Sequence, residues 1–294
     1  MQKITPFLWF DDNAEEAMTL YTSLFRDGEI TSVNRIGGDD AAILTGSFRI
    51  GGLEISVMNA GPEFTFTPSV SFYVTCESTE EVERLWNALV EGGGVMMPLQ
   101  QYPFAERFGW LADRFGLSWQ LIQDGSPPSV TPFLMYVGDQ FGRAEEAMRL
   151  YTSVFPDSGI DAVAYYEEGQ PDAGKVVHGK FHLAGQPFIA MESGLEHQFT
   201  FSEANSFFVA CDTQEEVDRY WNALIANGGE ESMCGWLKDP FGVSWQIIPN
   251  RLMELMADED REKAGRVQQA MFQMRKIDVA ALEEAYSGNE VTSS

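Results

Sequence analysis

The stretch GWLADRFGLSWQLI at 109–122 returns as GWLKDPFGVSWQII at 235–248, identical at ten of fourteen positions. Internal repetition this close means that whatever unit the first copy folds into, the second must fold into as well. Other segments repeat at similar offsets. TPFLWF at 5–10 answers to TPFLMY at 131–136, AEEAMTLYTSLF at 14–25 to AEEAMRLYTSVF at 144–155, and VTCESTEEVERLWNAL at 74–89 to VACDTQEEVDRYWNAL at 209–224. The first copy carries extra residues before its last hairpin, roughly Met96–Phe108. Breaker residues crowd the join between the copies, QDGSPPSV. The spacing therefore predicts a first domain over 1–124, a linker over 125–130, a second domain over 131–249 and a helical tail over 250–294.

Within each copy the pattern predicts strand, helix and three strands, twice over. In the first copy Ile4–Phe10 reads as a strand and Ala14–Phe25 as a helix, with Ala17, Leu20, Tyr21 and Leu24 at helical spacing. Asn13 followed by Glu16 is a capping signal, as are Ser78 with Glu81 and Thr213 with Glu216. Gly51–Gly52 predicts a tight turn, and Gly92–Gly94 a helix end. Asp-x-Phe-Gly in each copy reads as a turn and is assigned no chemistry. Beyond Pro249 a stripe of Leu252, Leu255, Met256, Val267, Ala270, Met271 and Met274 predicts helices that dock on the domains or on a sister chain. Asp278 is placed to cap the last helix.

Composition narrows the partners. A formal charge of −26 repels phosphate backbones and anionic lipid, so neither nucleic acid nor a membrane surface is expected as a partner. Three cysteines, Cys76, Cys211 and Cys234, show no CxxC spacing and suit reduced thiols in a cytoplasmic protein. A strand-like run begins almost at once, so no leader peptide is expected, and no apolar run is long enough for a membrane span.

The motifs AEEAMxLYTSxF, MPLQxxPFAERFGW and GWLKDPFGVSWQI, with the tail EKAGRVQQAMFQMRKIDVAALEEAY, resemble the PhnB-like branch of the vicinal-oxygen-chelate (glyoxalase/bleomycin-resistance) superfamily. That branch is often labelled demethylubiquinone 3-methyltransferase. The resemblance covers nearly the whole chain. It implies an α+β fold of tandem glyoxalase-like domains, each made of two βαβββ units in a cupped mixed sheet, followed here by C-terminal helices. It also implies a cavity in each cup, frequently holding a divalent metal.

Matched to the family, the first-strand ligand position falls at Thr5 and Thr131, the next at Ser69 and Ala204, and the last at Gln120 and Gln246. Hydroxyl, methyl and amide groups are poor donors for a divalent catalytic ion, so no metal and no cofactor are expected. All three histidines, His178, His182 and His197, lie in the second copy. His178 and His182 would stand roughly 13 Å apart along a strand, and are read as surface or structural residues. No glycine-rich strand-to-helix loop supports the methyltransferase label.

Strand alternation puts Gln120 on the face opposite Trp119 and Leu121. Under the family's geometry Thr5, Phe7 and Trp9 on strand one and Ser69, Ser71 and Tyr73 on strand five share that face. In the second copy Thr131, Ser206 and Gln246 hold the matching places. Two readings of the glutamines stand: contact with a small, partly apolar ligand, or satisfaction of a neighbouring strand inside a filled core. The expectation is a small-molecule-binding protein, monomeric, with the tandem copies standing in for a family dimer. The alternatives are a metal-dependent lyase, isomerase or dioxygenase-like enzyme with displaced ligands such as Glu54 or Glu192, and a chain in which one copy is only a built-in partner. No catalytic residue is assigned.

Overall fold

A computed structural model describes residues 2–35 and 43–288. Its contacts divide the chain into two units, residues 5–205 and residues 1–4 with 206–294.

The larger unit begins with β1 (Ile4–Phe10), α1 (Ala14–Leu24), β2 (Glu29–Arg35), β3 (Ile43–Ile50) and β4 (Leu53–Asn59). The second βαβββ unit is β5 (Val70–Cys76), α2 (Thr79–Val90), β6 (Gly94–Tyr102), β7 (Ala105–Ala112) and β8 (Ser118–Gln123). A third follows the linker: β9 (Ser129–Tyr136), α3 (Ala144–Val154), β10 (Gly159–Tyr165), β11 (Val176–Leu183) and β12 (Gln186–Glu192). The smaller unit holds the fourth, β13 (Asn205–Cys211), α4 (Gln214–Ile225), β14 (Glu230–Glu231), β15 (Trp236–Lys238) and β16 (Ser244–Pro249). Its tail is α5 (Asn250–Met256), α6 (Arg261–Met271) and α7 (Val279–Ser287). The fold is thus α+β, four βαβββ units and a helical tail, and no helix among the described residues is long and apolar enough to cross a membrane.

Within the larger unit, one mixed eight-stranded sheet runs in the order β10-β11-β12-β9-β5-β8-β7-β6. Its halves come from the two sides of the linker, the second half of the first copy and the first half of the second. The seam is antiparallel, with Ser71 opposite Phe133 and Tyr73 opposite Thr131, while β5 runs parallel to β8 and β9 parallel to β12. The Thr75 and Ser129 hydroxyls lie 2.9 Å apart across it. Apolar periodicity predicts which face of a strand is buried but not which strand lies beside it, so the sharing of this sheet between copies was not legible from the repeats.

The opposite face of β5 and β8 belongs to a core built from both halves of the first copy, with Val130 of β9 joining it. Leu8, Tyr21, Phe48, Phe72, Leu85 and Trp119 all lie in it, so α1 and α2 are held against strands of both halves. Tyr21 meets Trp119 edge-on, ring centroids 5.1 Å apart. Sheet pairing crosses the linker, whereas this core is drawn almost wholly from the first copy.

Helix starts are fixed as the sequence predicts in three cases. Ser78 accepts from the Glu81 N–H, Thr213 from the Glu216 N–H and Asp278 from the Ala281 N–H. Asn13 makes no such bond; Asn59, on β4, reaches over to accept from the Ala14 N–H at 3.0 Å. Glu192 does this for α3, its Oε1 accepting from the Ala144 N–H and its Oε2 from the Val176 N–H, both at 2.7 Å. Gly51 and Gly52 turn as expected, at φ 52° and 77°. The extra residues of the first copy lengthen the β6–β7 hairpin, whose outer end carries Tyr102 and Phe104 stacked at 5.6 Å over Phe108. In the smaller unit Leu252, Leu255, Val267, Ile277 and Leu282 of the tail close over Ile248, with Phe208 packed against them.

Candidate functional site

The Gln120 face of the eight-stranded sheet is built by alternation. Tyr73 on β5 and Trp110 on β7 flank Gln120 in register, and Thr131 lies beside Tyr73 on β9. Ser71 lies on the same face of β5, with Ser69 in the turn just before that strand, and Phe133 continues β9. On the second copy's side Phe133, Met135, Val137 and Ile189 form a buried apolar cluster, against which Tyr73, Trp110, Met191 and Phe199 pack half-buried. His178, on β11, completes the wall: its ring centroid is 6.4 Å from that of Tyr73 and 6.4 Å from that of Phe133. Tyr73 and Phe133 stack at 6.1 Å.

Polar groups line the floor. Gln120 is 3% exposed and donates through Nε2 to the Ser71 hydroxyl at 2.9 Å. Trp110 donates through its indole N–H to Ser118 at 2.8 Å. Ser69 is fully buried and its hydroxyl has no hydrogen-bond partner. Burial and the nearby Asp124 push the Tyr73 phenol up to about 12, so it stays protonated. Burial, then the positive charge of Lys180, lowers the pKa of His178. The imidazole is held neutral near pH 7.

Of the residues marked out by the sequence, the structure brings Gln120, Ser69, Ser71, Tyr73 and Thr131 onto this one face. Thr5, Phe7 and Trp9 lie instead on β1, which is not part of this sheet. There Thr5 is buried, and the Trp9 indole donates to the Gly61 carbonyl at 2.8 Å. Ser206 and Gln246 repeat the motif in the smaller unit, Gln246 donating to the Ser206 hydroxyl at 3.0 Å. Beside that pair, Phe208 stands in register with Gln246 as Tyr73 does with Gln120, and the tail cluster packs on it and on Ile248. The two glutamine faces therefore differ, one bearing the tail and the other ringed by half-buried aromatic groups. His178, Phe133 and Trp110 were not singled out from the sequence, since their relation to Gln120 depends on strand neighbours. Trp110, two residues into the repeated hairpin, is the one that alternation could have found.

The remaining ionisable candidates are engaged elsewhere. Glu192 is buried with both carboxylate oxygens on backbone N–H groups. Glu54 accepts from the Thr31 hydroxyl at 2.5 Å and lies 3.4 Å from Arg49. His182 pairs with Asp161 at 2.9 Å and His197 with Ser193 at 2.8 Å. Among the described residues no three His, Cys, Asp or Glu side chains are grouped to hold a metal ion. The amide, hydroxyls and single imidazole around Gln120 do not fit the charged donor set that a divalent catalytic ion takes. Helix starts are equally unsuited to a nucleotide-like cofactor, each of α1 to α4 carrying two glutamates in its first turn. Burial pushes the Cys76 and Cys211 thiols up to about 12, which leaves them protonated and inert.

The repeated Asp-x-Phe-Gly turn proves to be a buried anchor. Asp113 Oδ1 accepts from the N–H groups of Phe115 (2.9 Å) and Leu117 (3.0 Å). Its Oδ2 accepts from the Tyr21 hydroxyl (2.6 Å) and the Trp119 indole (2.8 Å). Asp239 holds Phe241, Val243 and Trp245 in the same way. These carboxylates fix the strand that carries each glutamine.

Comparison with known proteins agrees with this architecture. The family described as 3-demethylubiquinone-9 3-methyltransferase matches twice, over residues 2–122 and 128–248. A PhnB protein from Bacillus cereus is 44% identical over 42% of this chain and 99% of its own, with a TM-score of 0.40. Glyoxalase I from Zea mays is 12% identical, covers 82% of this chain and 89% of its own, and has a TM-score of 0.55, a likeness of fold. No curated protein matches the chain. With two matches that together span most of its length, the chain belongs to the 3-demethylubiquinone-9 3-methyltransferase family, PhnB-like members of the vicinal-oxygen-chelate fold, in tandem duplication.

Proposed function

We propose that this protein binds a small, largely apolar molecule on the Gln120 face of the shared sheet. One observation carries the reading: half-buried Tyr73, Trp110, His178 and Met191 surround a buried floor of serine hydroxyls and an amide. Aromatic walls with a few fixed polar groups suit ligand capture. Ser69, Ser71, Tyr73, Gln120 and Thr131 are assigned to contact the ligand, joined by Phe133 and His178. Thr5, Phe7, Trp9, Ser206 and Gln246 fall outside this site. Methyl transfer, which the family's description names, is not part of the proposal. The displaced-ligand enzyme is set aside, since Glu54 and Glu192 are already bound within the protein. The chain is proposed to be a cytoplasmic monomer, its tandem copies doing the work of two single-copy subunits; a dimer by light scattering would contradict this.

Binding of 2-naphthamide, followed by tryptophan fluorescence or calorimetry, tests the reading. Removing one stacking aromatic is worth about 1.4 kcal/mol, so Tyr73→Ala should weaken binding about tenfold. Unchanged affinity in that variant would place the site elsewhere.

A pH dependence follows from His178. Its folded-state pKa is lowered, so its contribution to stability is present above its unfolded value of about 6.5 and lost as pH falls through the folded value. Charging it also sets a cation against the apolar walls. Affinity for 2-naphthamide is therefore expected to be flat above about pH 6.5 and to fall on acidification. His178→Asn should remove the fall, and an equal fall in that variant would assign it to another group.

A further inference from the structure

Strands β5, β8 and β9 of the shared sheet turn ten side chains toward the Gln120 face, Ser71 to Thr75, Ser118 to Ile122 and Ser129 to Met135, taking every second residue, and Ser69 in the turn leading into β5 makes eleven residues. None of the eleven is charged. The charged residues about that face, Asp124 just past β8, Lys180 on β11 and Glu106 on β7, are exposed and carry both signs. Hydrogen-bonding capacity on the floor is nevertheless left over. The buried Ser69 hydroxyl has no partner, and Gln120 uses one amide N–H on Ser71. A hydroxyl and an amide can each both donate and accept.

We infer that the floor of this site selects a ligand whose buried end is uncharged and both donates and accepts hydrogen bonds, such as a carboxamide or lactam. The inference rests on the binding reading above and adds the ligand's chemical class to it. A carboxylate or ammonium of similar size would lose its water without meeting an opposite charge on the floor, which is more costly than burying a neutral polar group that finds partners. Ser69 and Gln120 are then the residues that set specificity, and the aromatic walls set affinity. The raised phenol pKa of Tyr73 and the lowered pKa of His178 agree with a neutral lining.

Three probes of similar size separate the possibilities: 2-naphthamide, 2-naphthoate and 2-naphthylmethylammonium, titrated into the full-length protein at pH 7.5. The amide is expected to bind at least tenfold tighter than either ion, a discrimination of about 1.4 kcal/mol. Ser69→Ala should narrow that gap, and Gln120→Glu should shift preference toward the ammonium, with circular dichroism confirming that each variant is folded. Equal affinity for all three probes, or tighter binding of an ion, would overturn the selectivity and leave the binding reading standing. If none of the three binds at millimolar concentration, the binding reading fails and the inference falls with it. The wild-type comparison decides the matter even if a variant does not fold.

Discussion

Asp113→Ala is expected to destabilise the protein by about 4 kcal/mol or more, measured as a loss in unfolding free energy in denaturant. The substitution leaves the N–H groups of Phe115 and Leu117, the Tyr21 hydroxyl and the Trp119 indole without their acceptor in a buried place. Each buried donor so stranded costs about 1–3 kcal/mol, and local relaxation recovers part of the total. Asp113→Asn should cost less, because its amide oxygen still serves one pair of donors. Burial raises the Asp113 pKa more than its four donors lower it. The sign follows: a raised folded value gives a contribution complete below the unfolded pKa of about 3.8 and lost as pH rises through the folded one. Wild type should therefore gain on Asp113→Asn as pH falls through that range. A loss under about 1 kcal/mol for Asp113→Ala would show that the turn does not anchor the Gln120 strand.

Glu192→Ala should have the second-largest effect, about 2–5 kcal/mol, since two buried backbone N–H groups lose a charged acceptor. Glu192→Gln keeps one acceptor oxygen and turns an amide toward the other N–H, so it should lie between wild type and alanine. The first copy meets the same need with Asn59, which takes the Ala14 N–H and donates to the Ile43 carbonyl at 3.1 Å. Near-neutral stability in Glu192→Ala would free this carboxylate for another task, including the metal role considered from the sequence.

How much of this was legible beforehand depends on sequence range. Local signals were reliable. Alternation put Gln120 and Trp119 on opposite faces, and the structure has Gln120 on Ser71 and Trp119 in the core. Ser78, Thr213 and Asp278 cap helices because a cap is satisfied within three residues. Asn13 makes no cap bond, its backbone at φ −114° and ψ 21° lying outside the extended region of a capping residue, while Asn59, 46 residues on, takes the first N–H of α1. Asp-x-Phe-Gly announces a turn, but not a buried carboxylate, since Tyr21 lies 92 residues from Asp113.

The site itself shows the same limit. Ser69, Ser71, Tyr73, Gln120 and Thr131 could be marked by matching strand positions to a family pattern. Their grouping could not, because β5 pairs with β9 across the linker, and β1 lies outside that sheet. The spacing of His178 to His182 predicts a surface or structural residue. His178 stands against Tyr73 and Phe133 only because β11 and β12 of the second copy join a sheet begun by the first. Side-chain period tells which way a residue points, and long-range pairing tells what it meets.

A crystal structure of the full-length protein with 2-naphthamide tests the shared site most directly. The naphthyl ring is expected against Tyr73 of the first copy and both Phe133 and His178 of the second, with the carboxamide at Gln120 and Ser69. A probe seated at Phe208 and Gln246, or touching residues of one copy only, would contradict it.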